Sequence, residues 1–233
     1  MSRFANVLVD LDGTVTDPFE GVADCVEYAM RCMGHTPPFE DVLRGYIGRP
    51  LRQTFGGLLA THDASRIEEA LCFYRERFSV LGLFENRVYP GLPELLAALK
   101  TAGCRLFLAT AKPCLYAQQI VHHFDLTKYF VRVYGSDLYG GLENKGDLVP
   151  FLLHSERMEA GDTAMVGDRA QDMLVAKAHS VCAVGVTWGY GSQEELEDAG
   201  ADVTCNSPGE VFRFITETVT PAPVGLARSA GGE

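Results

Sequence analysis

Two aspartates, Asp10 and Asp12, follow the apolar segment Val7-Leu8-Val9 near the start of the chain. If the backbone stays extended there, side chains two positions apart point the same way, so both carboxylates can face one site. Two acids at the end of an apolar segment repel each other unless a cation or a proton offsets the charge. Gly13 then permits an unusual turn and Thr14 can donate a hydrogen bond. The alternative is an ordinary Asp-Gly turn after a strand.

A second pair of acids, Asp168 and Asp172, follows the apolar segment Met165-Val166-Gly167. Their i, i+4 spacing places both on one face of a helix. Asp168 alone could be a helix cap. Two acidic pairs at two strand ends have a shared explanation in one hard divalent cation, and Mg²⁺ prefers oxygen ligands and often binds substrate phosphate as well.

Two further residues could bind an anion. Thr110 supplies a hydroxyl at the end of a third apolar segment, before a helix whose first N–H groups suit an anion, although it could equally be a plain N-cap. Lys145 opens another helix, where the helix dipole disfavours a positive charge. A lysine there is usually solvated, but the mismatch favours a specific anionic partner.

The elements that must position these residues alternate along the chain. Apolar, β-branched runs predict strands at Asn6–Asp10, Arg105–Thr110, Val131–Tyr134, Thr163–Gly167 and Val181–Val186, with a weaker one at Ala201–Thr204. Helical patterns lie between most of them, at Leu92–Ala102, Pro113–Phe124, Lys145–Ser155 and Arg169–Ala178. This alternation predicts an α/β fold in which helices cover both faces of a parallel sheet.

Residues 15–85 interrupt the alternation. They contain no convincing strand and four helical segments, which predicts an all-helical cap inserted after the first strand, with hinges at Gly13–Asp17 and Phe84–Tyr89. The remaining core would comprise residues 1–14 and 86–219. Residues 220–233 are rich in Pro, Ala and Gly and lack periodicity, which predicts a mobile tail.

Composition excludes several functional classes. The formal net charge of -11 argues against nucleic-acid and anionic-membrane partners, which are themselves polyanions. No run approaches the roughly 20 apolar residues that span a bilayer, and no signal peptide precedes the first strand, so we expect a soluble, cytoplasmic protein. The seven cysteines form no C-x-x-C pair and suggest neither a disulfide framework nor a zinc site.

The acidic and anion-binding segments together resemble the motifs of the haloacid dehalogenase-like (HAD) hydrolase superfamily. The segment from Asp10 to Thr14 is similar to the first motif, Thr110 to the second, Lys145 to the third, and Asp168 with Asp172 to the fourth. The resemblance extends to about residue 219, and the helical insert is similar to the small α-helical cap of that family. It implies a Rossmann-like, doubly wound core.

Other segments resemble the phosphoglycolate phosphatase-like and bacterial 5′-nucleotidase-like branch of the superfamily. They are Tyr46–Leu51, Phe84–Gly91, Thr110–Pro113 and Trp188–Ser192. Ala111 stands where many relatives have Asn or Ser, which leaves only its backbone N–H as a phosphate contact.

The resemblance implies a Mg²⁺-dependent phosphatase that hydrolyses a small phosphorylated metabolite. Asp10 would be the nucleophile that forms an aspartyl-phosphate, and Asp12 the general acid and base. The implied ligands of Mg²⁺ are Asp10, the backbone carbonyl of Asp12, Asp168 and, directly or through water, Asp172. The implied phosphate-binding residues are Thr110, Ala111 and Lys145. Arg49, in a cap loop, is the candidate specificity residue, although a surface arginine is the plainer interpretation.

Several alternatives remain open at this point. The leading substrate is a nucleoside 5′-monophosphate and the second is phosphoglycolate. A phosphomutase of the β-phosphoglucomutase kind shares the same core and cap, and a non-enzymatic phosphoacceptor domain would place similar residues at strand ends. The sequence leaves monomer and homodimer equally open.

Overall fold

The computed structural model describes residues 2–137, 142 and 144–217. Eight strands occur in these residues: β1 (Asn6–Val9), β2 (Thr16–Asp17), β3 (Arg87–Val88), β4 (Arg105–Pro113), β5 (Arg132–Ser136), β6 (Thr163–Gly167), β7 (Cys182–Val186) and β8 (Val203–Cys205). The predicted tail at 220–233 lies outside the described residues. None of the helices in the described ranges is long and apolar enough to cross a membrane.

Ten α-helices surround the strands within the described ranges. They are α1 (Phe19–Cys32), α2 (Glu40–Arg44), α3 (Leu51–Leu58), α4 (Ala64–Arg77), α5 (Leu92–Thr101), α6 (Cys114–His123), α7 (Lys145–Ser155), α8 (Ala170–Ala178), α9 (Gln193–Asp198) and α10 (Pro208–Thr216). A π-helical segment, Phe78–Gly82, continues α4.

Six strands form a parallel sheet in the order β5-β4-β1-β6-β7-β8. The first strand is central, and all four of its residues are buried because helices cover both faces. The strand order reverses direction at β1, whose neighbours are β4 and β6. In open parallel sheets ligands bind at such a switch point, beyond the carboxyl ends of the strands. The predicted α/β, doubly wound class is therefore confirmed.

The strand and helix predictions match within a few residues, but two helices were missed. These are α9 and α10, and each begins after a serine whose side chain accepts a hydrogen bond from a backbone N–H three residues later. Ser192 accepts from Glu195, and Ser207 accepts from Glu210. Ser-x-x-Glu is the capping-box pattern, so a sequence signal for both helices existed.

The expectation that residues 15–85 hold no strand was wrong. Thr16–Asp17 pairs antiparallel with Arg87–Val88, which brings the two ends of the helical insert together. Two residues per strand are too few to show alternation in the sequence. The division of the chain into core and cap stays a prediction, although α1–α4 do occupy the predicted insert.

An aromatic stack joins the insert to the sheet's helices. The ring of Phe78 lies 5.1 Å from Tyr74 of α4 and 5.4 Å from Tyr116 of α6, between ring centres. All three side chains are buried. Aromatic packing of this kind stabilises a fold beyond simple burial, so it helps to hold the helical insert against α6.

Candidate active site

Three aspartates converge at the carboxyl edge of the sheet. Asp10 follows β1, Asp168 follows the adjacent parallel strand β6, and Asp172 is the third residue of α8. One carboxylate oxygen from each lies within 4.8 Å of the other two, and all three residues are buried. The structure brings these three acids together from two strand ends and one helix turn, while their roles as nucleophile and metal ligands stay predictions.

Lys145 lies between two of the acids. Its Nζ is 2.8 Å from Asp10 Oδ1 and 2.5 Å from Asp172 Oδ1, and its side chain is 4% exposed. Burial alone would lower the lysine pKa, but the charges of Asp10 and Asp172 outweigh it and the pKa is raised. Lys145 is therefore a buried ammonium group, not the solvated surface lysine of the plainer sequence interpretation.

Asp168 is held by two hydrogen bonds. The Thr14 hydroxyl donates to Oδ1 at 3.2 Å, and the Tyr190 backbone N–H donates to Oδ2 at 2.8 Å. Burial, followed by the charges of Asp10 and Asp172, raises the pKa of Asp168 to about 8. Without a cation this carboxyl holds a proton near neutral pH.

Asp172 is oriented by the start of its own helix. The backbone N–H of Arg169 donates to Asp172 Oδ2 at 3.2 Å, while Lys145 holds Oδ1. Burial raises the pKa of Asp172 to about 6 even though Lys145 lowers it. Because Arg169 is the N-cap of α8, the suggestion that Asp168 caps that helix is wrong.

Glycines permit the close backbone approach around Asp168. Gly13 has a φ of +87°, and a Cβ there would lie 2.1 Å from Asp168 Oδ2. A Cβ on Gly189 would lie 2.3 Å from the same oxygen. Any side chain at either position would displace the carboxylate, so both loops need glycine to close on it.

Asp12 is paired with a lysine that the sequence reasoning did not single out. Lys112 Nζ lies 2.9 Å from Asp12 Oδ2 and 4.8 Å from the centre of the Phe78 ring. Burial raises the pKa of Asp12 above its ordinary value, and Lys112 offsets only part of that rise. Asp12 Oδ1 is buried and has no hydrogen-bond partner among the described residues. The Lys112–Asp12 pair forms between residues far apart in the sequence, so no local sequence pattern predicted it.

Thr110 lies at an irregularity in β4. The register with β5 shifts between Ala109 and Pro113, and the buried Thr110 hydroxyl accepts the Lys112 backbone N–H at 3.2 Å. The N-cap of α6 is Pro113, so the plain N-cap alternative for Thr110 is wrong. The carbonyl of Ala111 accepts the Ser136 hydroxyl at 2.9 Å, which fixes this short segment beside β5.

A cavity of about 830 Å³, including its open mouth, lies between these residues and the helical insert. Asp10, Asp12 and Thr110 line its sheet side, and Tyr46 and Arg49 line its insert side. Arg49 is exposed, and its guanidinium carbon lies 5.6 Å from the centre of the Tyr46 ring. This arrangement places a concave pocket beside the acids at the strand ends.

The acidic cluster fits a hard divalent cation. Asp10, Asp168 and Asp172 offer only carboxylate oxygens, the ligand type that Mg²⁺ prefers, within one small space. Burying three acids beside a single lysine leaves negative charge uncompensated, which the raised pKa values of Asp168 and Asp172 reflect. A bound cation would supply the missing positive charge.

Comparison with known proteins gives a consistent assignment. The model of the haloacid dehalogenase-like hydrolase family matches residues 7–186, the range that holds every acid of the site. A 5′-nucleotidase of Pseudomonas aeruginosa is 44% identical over 196 residues, covering 83% of this chain and 87% of that protein. The tyrosine-protein kinase PtkA of Mycobacterium tuberculosis is 32% identical over 201 residues, covering 86% and 68%. The crystal structure of a predicted phosphatase from Clostridium acetobutylicum superposes with a TM-score of 0.86 at 37% identity, covering 90% of this chain and 97% of that one.

Proposed function

The chain belongs to the haloacid dehalogenase-like hydrolases and is a phosphatase, and from this premise we propose that it hydrolyses a nucleoside 5′-monophosphate with Mg²⁺ through an aspartyl-phosphate on Asp10. The observation that carries the proposal is the convergence of Asp10, Asp168 and Asp172 around the Lys145 ammonium at the strand ends.

Asp10 is the proposed nucleophile because its carboxylate borders the cavity at the switch point of the sheet. An Asp10 oxygen forms a bond to phosphorus as the bond from phosphorus to the leaving alkoxide breaks. Water then attacks the phosphorus of the aspartyl-phosphate, releases phosphate and restores the carboxylate. Covalent catalysis divides one difficult displacement into two easier ones.

Asp12 is the proposed general acid and base. Burial raises its pKa, which favours the protonated form needed to donate to the leaving alkoxide. In the second step the resulting carboxylate takes a proton from the attacking water. Lys112, 2.9 Å away, holds the carboxylate form between the two steps.

Asp10 and Asp168, with Asp172 directly or through water and the Asp12 backbone carbonyl, would hold Mg²⁺. When bound, the cation supplies positive charge that offsets repulsion between the carboxylates and the phosphoryl oxygens. The proton that Asp168 keeps in the metal-free site must leave when the cation binds, so we expect tighter metal binding at higher pH.

The phosphoryl oxygens would be bound by Lys145, the Thr110 hydroxyl and the Ala111 backbone. Lys145 already lies within hydrogen-bonding distance of the proposed nucleophile, where charge develops in the transition state. Thr110 lines the same cavity wall. On the opposite wall, Arg49 is the proposed specificity residue.

The substrate proposal is supported by the 44% identity to the 5′-nucleotidase. The test is release of inorganic phosphate, with and without Mg²⁺, from nucleoside 5′-monophosphates, phosphoglycolate and hexose phosphates. We expect the nucleoside monophosphates to give the highest kcat/KM. A higher kcat/KM for phosphoglycolate than for any nucleoside monophosphate would contradict the proposed substrate. Phosphate release by Asp10→Asn at the wild-type rate would contradict the assignment of Asp10 as nucleophile.

Two further measurements separate neighbouring activities. Phosphorylation of a tyrosine peptide by ATP would indicate an activity like the one named for PtkA. Isomerisation of a sugar phosphate that depends on a bisphosphate and releases no net phosphate would indicate a phosphomutase. We expect neither activity, because water is the proposed acceptor of the phosphoryl group from the aspartyl-phosphate.

A further inference from the structure

An arginine next to the acidic cluster reaches across to the helical insert. The Arg169 side chain donates from Nη1 to the backbone carbonyl of Ile47 at 3.2 Å and from Nε to Glu195 Oε1 at 3.0 Å. The arginine side chain is 13% exposed and that of Glu195 is 29% exposed. Both bonds are therefore partly shielded from water. Charge-assisted hydrogen bonds are stronger in such a shielded position than at an open surface.

The segment that Arg169 contacts is shaped to receive it. Ile47 is buried, and the next residue, Gly48, adopts a φ of +81°, a backbone conformation that favours glycine. A Cβ on Gly48 would lie 3.4 Å from Arg169 Cγ, so the loop packs against the aliphatic stem of the arginine. One hydrogen bond and one close approach thus connect this loop to residue 169.

Glu195 fixes the arginine and the acidic cluster at the same time. Its Oε1 also accepts the backbone N–H of Ala170, the first residue of α8, at 2.9 Å. The same helix carries Asp172, whose Oδ2 accepts the Arg169 backbone N–H. The contact to the loop is therefore built on the same short segment that positions the proposed metal ligands.

We propose that Arg169 and Glu195 form a latch that holds the loop Tyr46–Pro50 closed over the phosphate pocket, which makes Arg169 a positioning residue for substrate binding. The inference rests on the proposed phosphatase site, because the loop forms the insert side of the cavity above Asp10 and Asp12. Arg169 touches no reacting atom and acts through the loop.

The latch should affect substrates unequally. If it opens more often, the fraction of molecules with a complete pocket falls, and the apparent KM rises in inverse proportion to that fraction. Only a substrate that contacts the loop loses affinity in this way. A small phosphomonoester bound by Thr110 and Lys145 alone should be nearly unaffected.

The first experiment compares Arg169→Gln with wild type on a nucleoside 5′-monophosphate and on p-nitrophenyl phosphate. We expect KM for the nucleotide to rise about tenfold, equivalent to one lost charge-assisted hydrogen bond. The kcat for both substrates and the KM for p-nitrophenyl phosphate should change less than about threefold. Arg169→Lys should raise the KM for the nucleotide less than Arg169→Gln does. Lysine keeps the positive charge but lacks the several N–H donors of the guanidinium group.

Lys177→Gln provides the matched control. Lys177 lies on α8, the helix that follows Arg169, and its Nζ is 2.6 Å from Asp202 Oδ1. The substitution removes this exposed ion pair and leaves the contacts of Arg169 with the loop in place. Glu195→Gln should shift KM in the same direction as Arg169→Gln, and the double variant should be no worse than Arg169→Gln alone, since both changes break one unit.

The second experiment needs no activity. Hydrogen–deuterium exchange should be faster at residues 45–52 in Arg169→Gln than in wild type and unchanged in Lys177→Gln. If exchange and nucleotide KM both match wild type, the latch is wrong. If wild type releases no phosphate at all, the proposed function fails while the exchange experiment still tests the latch.

Discussion

The two walls of the cavity differ in how firmly their functional groups are fixed. On the sheet wall, the buried Asp10 is held by Lys145, and the buried Asp168 of the same acidic cluster is held by Thr14. On the insert wall, Arg49 is exposed and its guanidinium lies against the ring of Tyr46. Substitution on the sheet wall should therefore disturb these contacts, whereas substitution of the exposed Arg49 should have little effect on folding.

We propose that the sheet wall carries the chemistry and the insert wall the recognition of the substrate. The parallel strands fix the spacing of the acids because β1, β4 and β6 are in register, so their ends meet at one edge. The insert wall depends on the loop at residues 46–50 and on the Arg169 latch. We therefore expect changes on the sheet wall to reduce kcat and changes on the insert wall to raise KM.

The largest expected effect is from Asp10→Asn. Loss of the proposed nucleophile should reduce kcat by roughly 10⁴-fold or more, while the fold remains because the amide keeps the carboxylate's size. Phosphate release and circular dichroism measure the two properties. Retained turnover would remove the distinction between the walls, since a buried acid that lines the sheet wall would then be dispensable.

Lys145→Gln should have the next largest effect. Loss of the ammonium should reduce kcat by about 10²- to 10³-fold, as for removal of one group that stabilises transition-state charge. The metal-free variant should also unfold at lower temperature, because Asp10 and Asp172 lose their shared cation. A thermal melt beside Lys177→Gln is the check. An unchanged kcat would contradict the phosphate-binding role.

The acidic cluster should make metal-free stability fall as pH rises. The folded pKa values of Asp168, about 8, and Asp172, about 6, lie above their ordinary value of 3.8. From pH 4 to 8 the folded state binds more protons than the unfolded state, so the free energy of unfolding decreases with pH. Denaturant unfolding in EDTA measures this slope.

Two comparisons sharpen the pH experiment. Asp168→Asn should flatten the slope, because the buried group no longer titrates. Saturating Mg²⁺ should also flatten it and stabilise the wild type, by about 2.7 kcal/mol at a concentration of one hundred times Kd. A slope of the opposite sign in EDTA would mean that the acids are ionised and compensated without a metal.

The smallest expected effect is from Arg49→Gln on the insert wall. The KM for the nucleotide should rise only a few-fold with kcat unchanged, since an exposed side chain contributes less than about 1 kcal/mol through charge alone. Arg66→Gln, an exposed arginine on α4, is the control. A large fall in kcat would mean that the insert wall takes part in chemistry.

The sequence predicted most of the sheet wall and little of the insert wall. Asp10 and Asp168 follow apolar strands, and Thr110 lies near the end of another, so their meeting at one sheet edge was predictable from topology. The Lys112–Asp12 pair and the Arg169 bonds to Ile47 and Glu195 arise from tertiary packing. The periodicity of apolar residues in the sequence does not predict contacts of this kind.

The single tryptophan of the chain has a practical consequence. The indole N–H of Trp188 donates to the carbonyl of Thr14 at 3.0 Å, and the Thr14 hydroxyl in turn donates to Asp168. Tryptophan fluorescence of this chain therefore originates from one known position, next to Thr14 of the first motif. Titrations with a divalent ion or an inert phosphate analogue can be followed through this intrinsic fluorophore, without any dye or tag.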